Sequence, residues 1–110
     1  MILRRGFLYP VQLDKRRPAL VISPDVRNEG AFDVLIVPCS SVLSEMPTHV
    51  WLRRGEGGLV VASVLKCEQI TNLHQDDVEP TPLGRALSPA RIREVERAVL
   101  RAIGVPFPLA

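Results

Sequence analysis

The sequence predicts a mainly β (α+β) fold, a small barrel or curled sheet of five to seven short strands that ends in one α-helix. Three observations predict it. Short apolar, β-branched segments alternate with turn-forming residues over most of the 110-residue chain. Ten prolines, about twice the usual share, favour short elements and sharp connections. Only from Ser88 onward does the apolar pattern change to the period of a helix.

The predicted strands follow one another with turn residues between them. The first carries a proline, so we expect it at a sheet edge or a bulge. The strands are predicted at 7–13, 19–23, 33–38, 49–53 and within 59–70, and the segment 24–30 is predicted to consist of turns throughout. Five or six such strands are typical of a small barrel or curled sheet.

The helix is predicted from its two ends and its apolar stripe. Ser88 is a good N-cap, Pro89 fits the first helical position, and Gly104 fits the C-terminal stop. Between them one helical stripe is apolar; it consists of Ile92, Val95, Val99, Ala102 and Ile103. The apolar tail VPFPLA that follows is expected to pack on the barrel or on a second subunit.

Length and composition limit the other possibilities. Two separate cores would each be marginal in 110 residues, so residues 1–110 are expected to form one domain. No apolar run approaches the roughly 18 residues that a membrane helix needs, and the N-terminus lacks a secretory apolar core. Cys39 and Cys67 are too few for a disulfide scaffold and lack metal-ligand spacing. We therefore expect a cytoplasmic protein with free thiols, no membrane contact and no metal site.

The charge distribution says more than the net charge of +2. Residues 1–17 hold five basic side chains and one acid, residues 18–84 four basic and nine acidic, and residues 85–110 five basic and two acidic. A basic end beside an acidic middle could steer a polyanion onto one face. Ordinary solvated charges are the alternative explanation.

A basic segment stands directly before the second predicted strand. Lys15, Arg16 and Arg17 precede Pro18, and the residue before a proline is held extended. An arginine fixed at a strand end presents a rigid fork of donors that matches a phosphate. Arg17 is therefore a candidate phosphate-binding residue, with Lys15 and Arg16 beside it. A basic loop that only keeps a strand edge soluble is the alternative.

Hydroxyl groups follow the third predicted strand. Ser40 and Ser41 come after Pro38 and Cys39, where a hydroxyl could donate to a phosphate oxygen or could cap the turn, as serine often does. The sequence has no GxSxG elbow and no serine–histidine–acid set. We therefore predict no serine nucleophile.

The last predicted strand ends in the charged run KCEQ (66–69). Strand alternation would place Lys66 and Glu68 on one face, where they could act as charge stabiliser and base or simply form a solvated face. Histidine changes its charge near neutral pH, which makes His49 a reserve base. His74 is expected in a polar loop, and either histidine could instead be structural or exposed.

Five short motifs, in order, resemble those of the MazF/PemK family of toxin endoribonucleases. The motifs are Arg5-Gly6-Phe7-Leu8-Tyr9, Arg17-Pro18-Ala19-Leu20-Val21-Ile22, Pro38-Cys39-Ser40, Glu68-Gln69 and Leu87-Ser88. The resemblance implies an SH3-like β-barrel with a C-terminal helix, assembled as a homodimer whose interface forms the RNA cleft. It also implies a type II toxin that cleaves single-stranded RNA (mRNA) sequence-selectively, with no metal or other cofactor. A cognate antitoxin would neutralise it by occupying the same cleft.

The resemblance also implies roles for individual residues. Arg17 falls at the family's phosphate-contacting catalytic arginine, Ser40 at a functional threonine, and Lys66 and Glu68 where the PemK branch carries an arginine and an aspartate around a cysteine. In the mechanism this implies, the ribose 2′-OH attacks the phosphate. Arg17 stabilises charge, Glu68 is the base and Ser40 holds the phosphate. Lys66 or Arg17 serves the acid side, and Lys66 suits an electrostatic role better because lysine is a poor general acid. The further RNA-binding candidates are Lys15, Arg16, Ser41, His49 and Gln69.

The chain departs from the family pattern at three places, and two other functions compete. Phe7 stands where an acid is common, only Asp14-Lys15-Arg16 connects the first two strands, and no arginine follows Gln69. Gyrase-poisoning toxins of the CcdB type share such a barrel and a short first connection, but act by binding a protein. The third hypothesis is a catalytically inactive barrel that binds RNA or antitoxin.

Overall fold

Six antiparallel strands and a long C-terminal helix dominate the computed structural model, which describes residues 2–106. The strands are β1 (Leu8–Gln12), β2 (Arg16–Val21), β3 (Asp33–Ser40), β4 (His49–Leu52), β5 (Ser63–Lys66) and β6 (Thr71–His74). The helices are α1 (Asp25–Glu29) and α2 (Pro89–Ala102), and 3₁₀ turns span Glu56–Gly58, Cys67–Gln69 and Gln75–Asp77. The predicted mainly β fold with a C-terminal helix is confirmed.

Strand β3 organises the sheet because it pairs with three other strands. The order is β1-β2-β3-β5-β4, and β6 also pairs with β3. The first part of β3 lies between β2 and β6, whereas its last residues, Cys39 and Ser40, pair with Leu65 and Val64 of β5. A bridge between Val11 and Val78 joins β1 to the chain after β6. The sheet therefore curls toward a barrel.

Alternation along the strands divides the buried side chains into two cores. The first lies between the sheet and α2, and the second lies inside the curl of β1, β2, β3 and β6. The first core contains Leu8, Leu20, Val37, Cys39, Val50, Leu52, Leu59, Leu65, Cys67, Leu87, Val95 and Ala98. The second contains Leu3, Tyr9, Val11, Ala19, Val21, Val34, Ile36 and Val78.

Strand β1 is at one end of the strand order, as its proline predicts. Pro10 pairs with Pro18 of β2. The outer edge of β1 is covered by the segment that leads to α2, because Glu79 N–H donates to the Pro10 carbonyl and Leu83 N–H to the Leu8 carbonyl. This covering chain fixes the position of Leu83 beside the sheet.

Helix α2 has the predicted ends. The Ser88 hydroxyl accepts a hydrogen bond from Arg91 N–H, and Pro89 is the first helical residue. Val95 is buried, as the predicted stripe requires, but Ile103 at the end of the stripe is 68% exposed, because the helix ends at Ala102. Neither helix within residues 2–106 has the length and apolar character that crossing a membrane requires.

Three local predictions are wrong. The supposed turn segment 24–30 contains the short helix α1, within which Asn28 is buried and donates to the carbonyls of Leu3 and Ser23. The strand region 59–70 contains a strand only at Ser63–Lys66. His74 ends strand β6 rather than lying in a loop. Of the tail VPFPLA, Val105 and Pro106 are exposed, and the rest lies outside the described residues.

Candidate functional site

A cleft of about 380 Å³ opens where the start of β2 meets the end of β3. It brings together five residues that the sequence singled out: Lys15, Arg16, Arg17, Ser40 and Ser41. Its opposite side is formed by residues of two loops, which include Val60 and Leu83. We refer to this opening as the Arg17 cleft.

Arg17 and Ser40 approach each other because of the β2–β3 register. The pairing of β2 with β3 ends at Ala19 and Pro38. Two residues further along each strand stand Arg17 and Ser40, which face the same side by strand alternation and both line the Arg17 cleft. The side chain of Arg17 is only 19% exposed, and its guanidinium lies 2.8 Å from the Asp14 carboxylate. The Nε atom is buried and has no hydrogen-bond partner among residues 2–106. Arg17 is thus largely fixed, with donor capacity left over.

Arg16 is held at the rim of the Arg17 cleft by Glu79. Its Nη2 donates to Glu79 Oε1 at 3.0 Å, and its Nε donates to the other oxygen of the same carboxylate. The hydrogen bond and the charge of Arg16 hold the pKa of Glu79 below its usual range. Both side chains are more than half exposed, so this pair competes with water and adds little stability.

A second group of polar side chains lies at the start of β4 and consists of Ser44, Thr48, His49 and Glu68. His49 Nε2 lies 3.1 Å from Glu68 Oε2, and Thr48 Oγ1 donates to Glu68 Oε1 at 2.9 Å. The other ring nitrogen of His49 lies 3.1 Å from the Ser44 hydroxyl. The imidazole is only 3% exposed. We call these four residues the His49–Glu68 group.

The carboxylate of Glu68 is adapted to remain ionised. Partial desolvation acts to raise the pKa of Glu68, but hydrogen bonds from His49, from the backbone and from Thr48 outweigh it. The pKa therefore lies below its ordinary value. His49, in contrast, is enclosed between Ser44 and Glu68, which suits an orienting role better than direct contact with a substrate.

Lys66 lies between the Arg17 cleft and the His49–Glu68 group. It pairs with His49 across β4 and β5 and stands two residues beyond Val64, which pairs with Ser40. Lys66 and Ser40 are therefore diagonal neighbours on one face of the sheet, where long side chains come within reach of each other. Gln69 is exposed at the end of the 3₁₀ turn Cys67–Gln69.

The expected alternation of Lys66 and Glu68 along one strand face is wrong. Strand β5 ends at Lys66, and the chain then enters the 3₁₀ turn Cys67–Gln69. Cys67 N–H donates to the Thr48 carbonyl, which directs the turn toward the start of β4. Glu68 consequently contacts Thr48 and His49, and it does not line the Arg17 cleft.

Several polar residues that contact the candidate site residues were not predicted from the sequence. Asp14 could have been suspected, because it stands three residues before Arg17 and is the one acid in the first 17 residues. Ser44, Thr48 and Glu79 gave no local signal. Their contacts depend on long-range pairing: Glu79 reaches Arg16 across 63 positions and Thr48 reaches Glu68 across 20.

Two buried thiols lie close to the candidate site. Cys39 lines the Arg17 cleft at its floor, yet burial raises its pKa to about 12. Burial likewise raises the pKa of Cys67 to about 12. Both remain free thiols, as predicted. Within the described part of the chain, no three histidine, cysteine or acidic side chains are grouped so that they could hold a metal ion.

Comparison with solved structures gives the same fold over nearly the whole chain. An endoribonuclease from a Mycobacterial species, in complex with its cognate antitoxin, is 26% identical with a TM-score of 0.83, covering 96% of this chain and 99% of that one. Another endoribonuclease from a Mycobacterial species is 25% identical with a TM-score of 0.83, covering 98% and 97%. The Mycobacterium tuberculosis toxin MazF-mt6 is 22% identical with a TM-score of 0.82, covering 91% and 98%.

The family itself is shown by sequence. No protein among those with curated descriptions matches the chain. Residues 5–103, however, match the family of PemK-like, MazF-like toxins of type II toxin–antitoxin systems. That match contains Arg17, Ser40 and Glu68 and confirms the resemblance that the five motifs suggest. The chain therefore belongs to the PemK-like, MazF-like toxin family of type II toxin–antitoxin systems.

Proposed function

We propose that this toxin is an endoribonuclease that cleaves single-stranded RNA sequence-selectively and without a metal, by attack of a ribose 2′-OH on the adjacent phosphate. The observation that carries the proposal is the Arg17 cleft, where a largely fixed arginine, a serine hydroxyl and two further cations converge. The family match and the two similar proteins described as endoribonucleases support it. The fold alone would not support it, because one fold can host several unrelated functions.

The reaction needs three functions at one phosphodiester. A base takes the proton of the 2′-OH as the 2′-oxygen bonds to phosphorus, an acid protonates the departing 5′-oxygen, and cations stabilise the charge on the phosphate oxygens. The products are a 2′,3′-cyclic phosphate and a 5′-hydroxyl. Each proton transfer is worth about 10²–10⁴-fold, and charge stabilisation is of similar size.

Arg17 takes the electrostatic role in this proposal. Arg17 lines the Arg17 cleft, and the fork of donors on its guanidinium suits the equatorial oxygens of the phosphate. The Ser40 hydroxyl donates to the same group. Lys66 adds positive charge on the same face of the sheet, and Arg17 or Lys66 would donate the proton that the departing 5′-oxygen takes up. Lys15, Arg16 and Ser41 bind the neighbouring backbone of the RNA.

Glu68 is the proposed base, and His49 and Thr48 orient its carboxylate. In the single chain Glu68 does not line the Arg17 cleft. The assignment therefore requires that assembly of a homodimer, or closure on RNA, bring a Glu68 carboxylate within hydrogen-bond distance of the 2′-OH. Gln69, which is exposed beside Glu68, would contact RNA there.

We further propose a cognate antitoxin as the protein partner. A similar Mycobacterial endoribonuclease is seen with its cognate antitoxin, and a Deinococcus radiodurans MazF is seen with MazE. An antitoxin that covers the Arg17 cleft would have to offer carboxylates to Lys15, Arg16 and Arg17. Within the chain, Glu79 already pairs with Arg16 and Asp14 with Arg17.

The experiment that tests the proposal is incubation of the purified toxin with long single-stranded RNA in excess chelator, followed by mapping of the cuts and their ends. Discrete cuts that leave cyclic phosphate and 5′-hydroxyl ends are expected. Intact RNA would overturn the proposal, and a DNA-gyrase supercoiling assay would then test the CcdB-type alternative. Bound but uncut RNA would identify an inactive binding barrel.

A further inference from the structure

The Arg17 cleft has a second side that the proposed chemistry does not use. Val42, Val60, Val61 and Leu83 line it, and they are 74%, 79%, 51% and 38% exposed. Single exposed apolar residues are normal on a protein surface, but a group of four around one cleft indicates a binding surface. We call these four side chains the aliphatic wall.

The aliphatic wall is built before any ligand binds. Gly58 has a φ of +91°, and a Cβ on it would lie 2.3 Å from the Leu83 carbonyl oxygen. A Cβ on Gly84 would lie 2.7 Å from the Gly58 Cα. Only two glycines allow the two backbones to cross this closely. The crossing locks the loop that carries Val60 and Val61 against the segment that carries Leu83.

The loop on the other side of this crossing is also fixed by hydrogen bonds. Gly55 N–H donates to the Leu59 carbonyl, and Leu59 N–H donates to the Glu56 carbonyl. Leu59 itself is buried in the first core. Leu83 N–H is bonded to the Leu8 carbonyl of β1. Val60, Val61 and Leu83 are thus held by backbone that these contacts fix, as in a preformed site.

We propose that the aliphatic wall binds the nucleobase of a nucleotide joined to the phosphate that Arg17 and Ser40 hold. The inference rests on the proposed function. A base is tied to its phosphate through one ribose, so it lies within reach of the remainder of the same cleft. The volume of about 380 Å³ falls within the range of small-ligand pockets. Methyl groups pack against the flat face of a base, while the cations take the phosphate.

The composition of the wall determines what it can distinguish. It offers four aliphatic side chains, and the nearby Ser63 hydroxyl is already bonded to the Val61 carbonyl. A site without polar groups aimed at the base edge selects by size, and such selection is worth about 10–200-fold. The wall therefore separates large bases from small ones at this nucleotide, and readout of base edges takes place elsewhere along the RNA.

Methyl NMR tests the inference on a bound RNA that is not cleaved. The probe is an oligonucleotide around a mapped cut, with 2′-deoxyribose at the cut to prevent cleavage, compared with the same oligonucleotide made abasic at one flanking nucleotide at a time. Ring currents should move the methyl signals of Val60, Val61 and Leu83 upfield, and one abasic position should remove the shift. Val26, 80% exposed on α1 and outside the Arg17 cleft, is the control.

Kinetics give a second readout that separates this inference from the proposed function. The double variant Val60→Ala/Val61→Ala should lower kcat/KM about 10-fold for the preferred base and flatten the preference at that nucleotide, while Val26→Ala changes neither. If the double variant cleaves RNA normally and the methyl signals of the aliphatic wall do not shift, the wall does not bind a base, while the proposed endoribonuclease function still stands. Wall signals that respond only to an acidic antitoxin peptide would also overturn the inference. If the wild-type toxin itself does not cleave RNA, the proposed function is contradicted.

Discussion

The guanidinium of Arg17 is paired with the carboxylate of Asp14, which stands three residues earlier and lies 2.8 Å away. Asp14 is 74% exposed, whereas Arg17 is 19% exposed. The carboxylate therefore meets the arginine from solvent, and it is not among the residues that line the Arg17 cleft. In the free chain Asp14 therefore supplies a negative charge that competes with a phosphate for the Arg17 guanidinium.

We predict that Asp14→Asn binds RNA more tightly. Removing the competing charge should lower KM a few-fold, because an exposed ion pair is worth only about 0.2–1 kcal/mol, and kcat should stay within about two-fold. The measurement is kcat and KM for a short RNA at two salt concentrations. A fall in kcat at unchanged KM would instead show that Asp14 positions Arg17. Asp33→Asn, which removes the carboxylate paired with Arg27 outside the Arg17 cleft, is the matched control and should change neither KM nor kcat.

Ser40 is predicted to act through its hydroxyl. Ser40→Ala should lower kcat/KM about 10-fold to 100-fold, because a hydrogen bond to a charged group is worth about 1.5–3 kcal/mol. The Ser40 hydroxyl also accepts a bond from Val42 N–H, so the variant could loosen the turn instead. Ser40→Thr keeps the hydroxyl and should recover most activity. Equal activity of the alanine and threonine variants would contradict the phosphate contact.

Acid stability is predicted to depend on Glu56, which fastens α2 to the loop before β5. The hydrogen bond from Arg91 holds the pKa of Glu56 below its ordinary value, against a smaller opposing effect of burial. The folded chain thus releases this proton more readily than the unfolded chain. The resulting stability is complete above the ordinary pKa and is lost as pH falls through the folded-state value.

The measurement is urea unfolding of the wild type and Glu56→Gln at pH 7 and pH 3. The variant should be less stable at pH 7 by on the order of 1 kcal/mol, and the difference should shrink at pH 3. Glu94→Gln removes the other carboxylate near Arg91. The Glu94 side chain is half exposed, so this variant should change stability less than Glu56→Gln at both pH values. A difference that grew in acid would refute the assignment.

Both cysteines are predicted to be unreactive in the folded chain. Burial raises the pKa of Cys39 and of Cys67 to about 12, so almost no thiolate exists near neutral pH. A thiol reagent should label neither residue in native conditions and both residues after unfolding in urea. Fast labelling of native Cys39 would show that the floor of the Arg17 cleft opens.

The sequence predicted those elements that local chemistry determines. Helix α2 was predicted with its first residue because Ser88 and Pro89 define its start without help from the rest of the fold. Strand β6 was missed because its residues are mostly exposed and polar. It exists through its pairing with β3, from Asp33 to Ile36, and no periodicity within TNLH reveals such a partner.

In the candidate site, too, the residues placed by local sequence were predicted and those placed by long-range contacts were not. Arg17 was located by the proline that follows it and by the family motif, and the β2–β3 register brings Ser40 to it. Glu68 was assigned to a strand face. Strand β5, however, ends at Lys66, and from Cys67 onward the chain turns toward Thr48. That turn depends on a contact with β4, which pattern analysis of a single segment does not contain.

The most direct test of the central claim is cleavage of a mapped single-stranded RNA by Arg17→Ala in excess chelator, beside the wild type and Arg27→Ala. Arg27 is also paired with an aspartate but lies outside the Arg17 cleft. We expect cyclic-phosphate ends from the wild type and from Arg27→Ala. Arg17→Ala should lose at least about 10²-fold in rate with an unchanged circular dichroism spectrum. Wild-type cleavage by a folded Arg17→Ala would contradict the central claim.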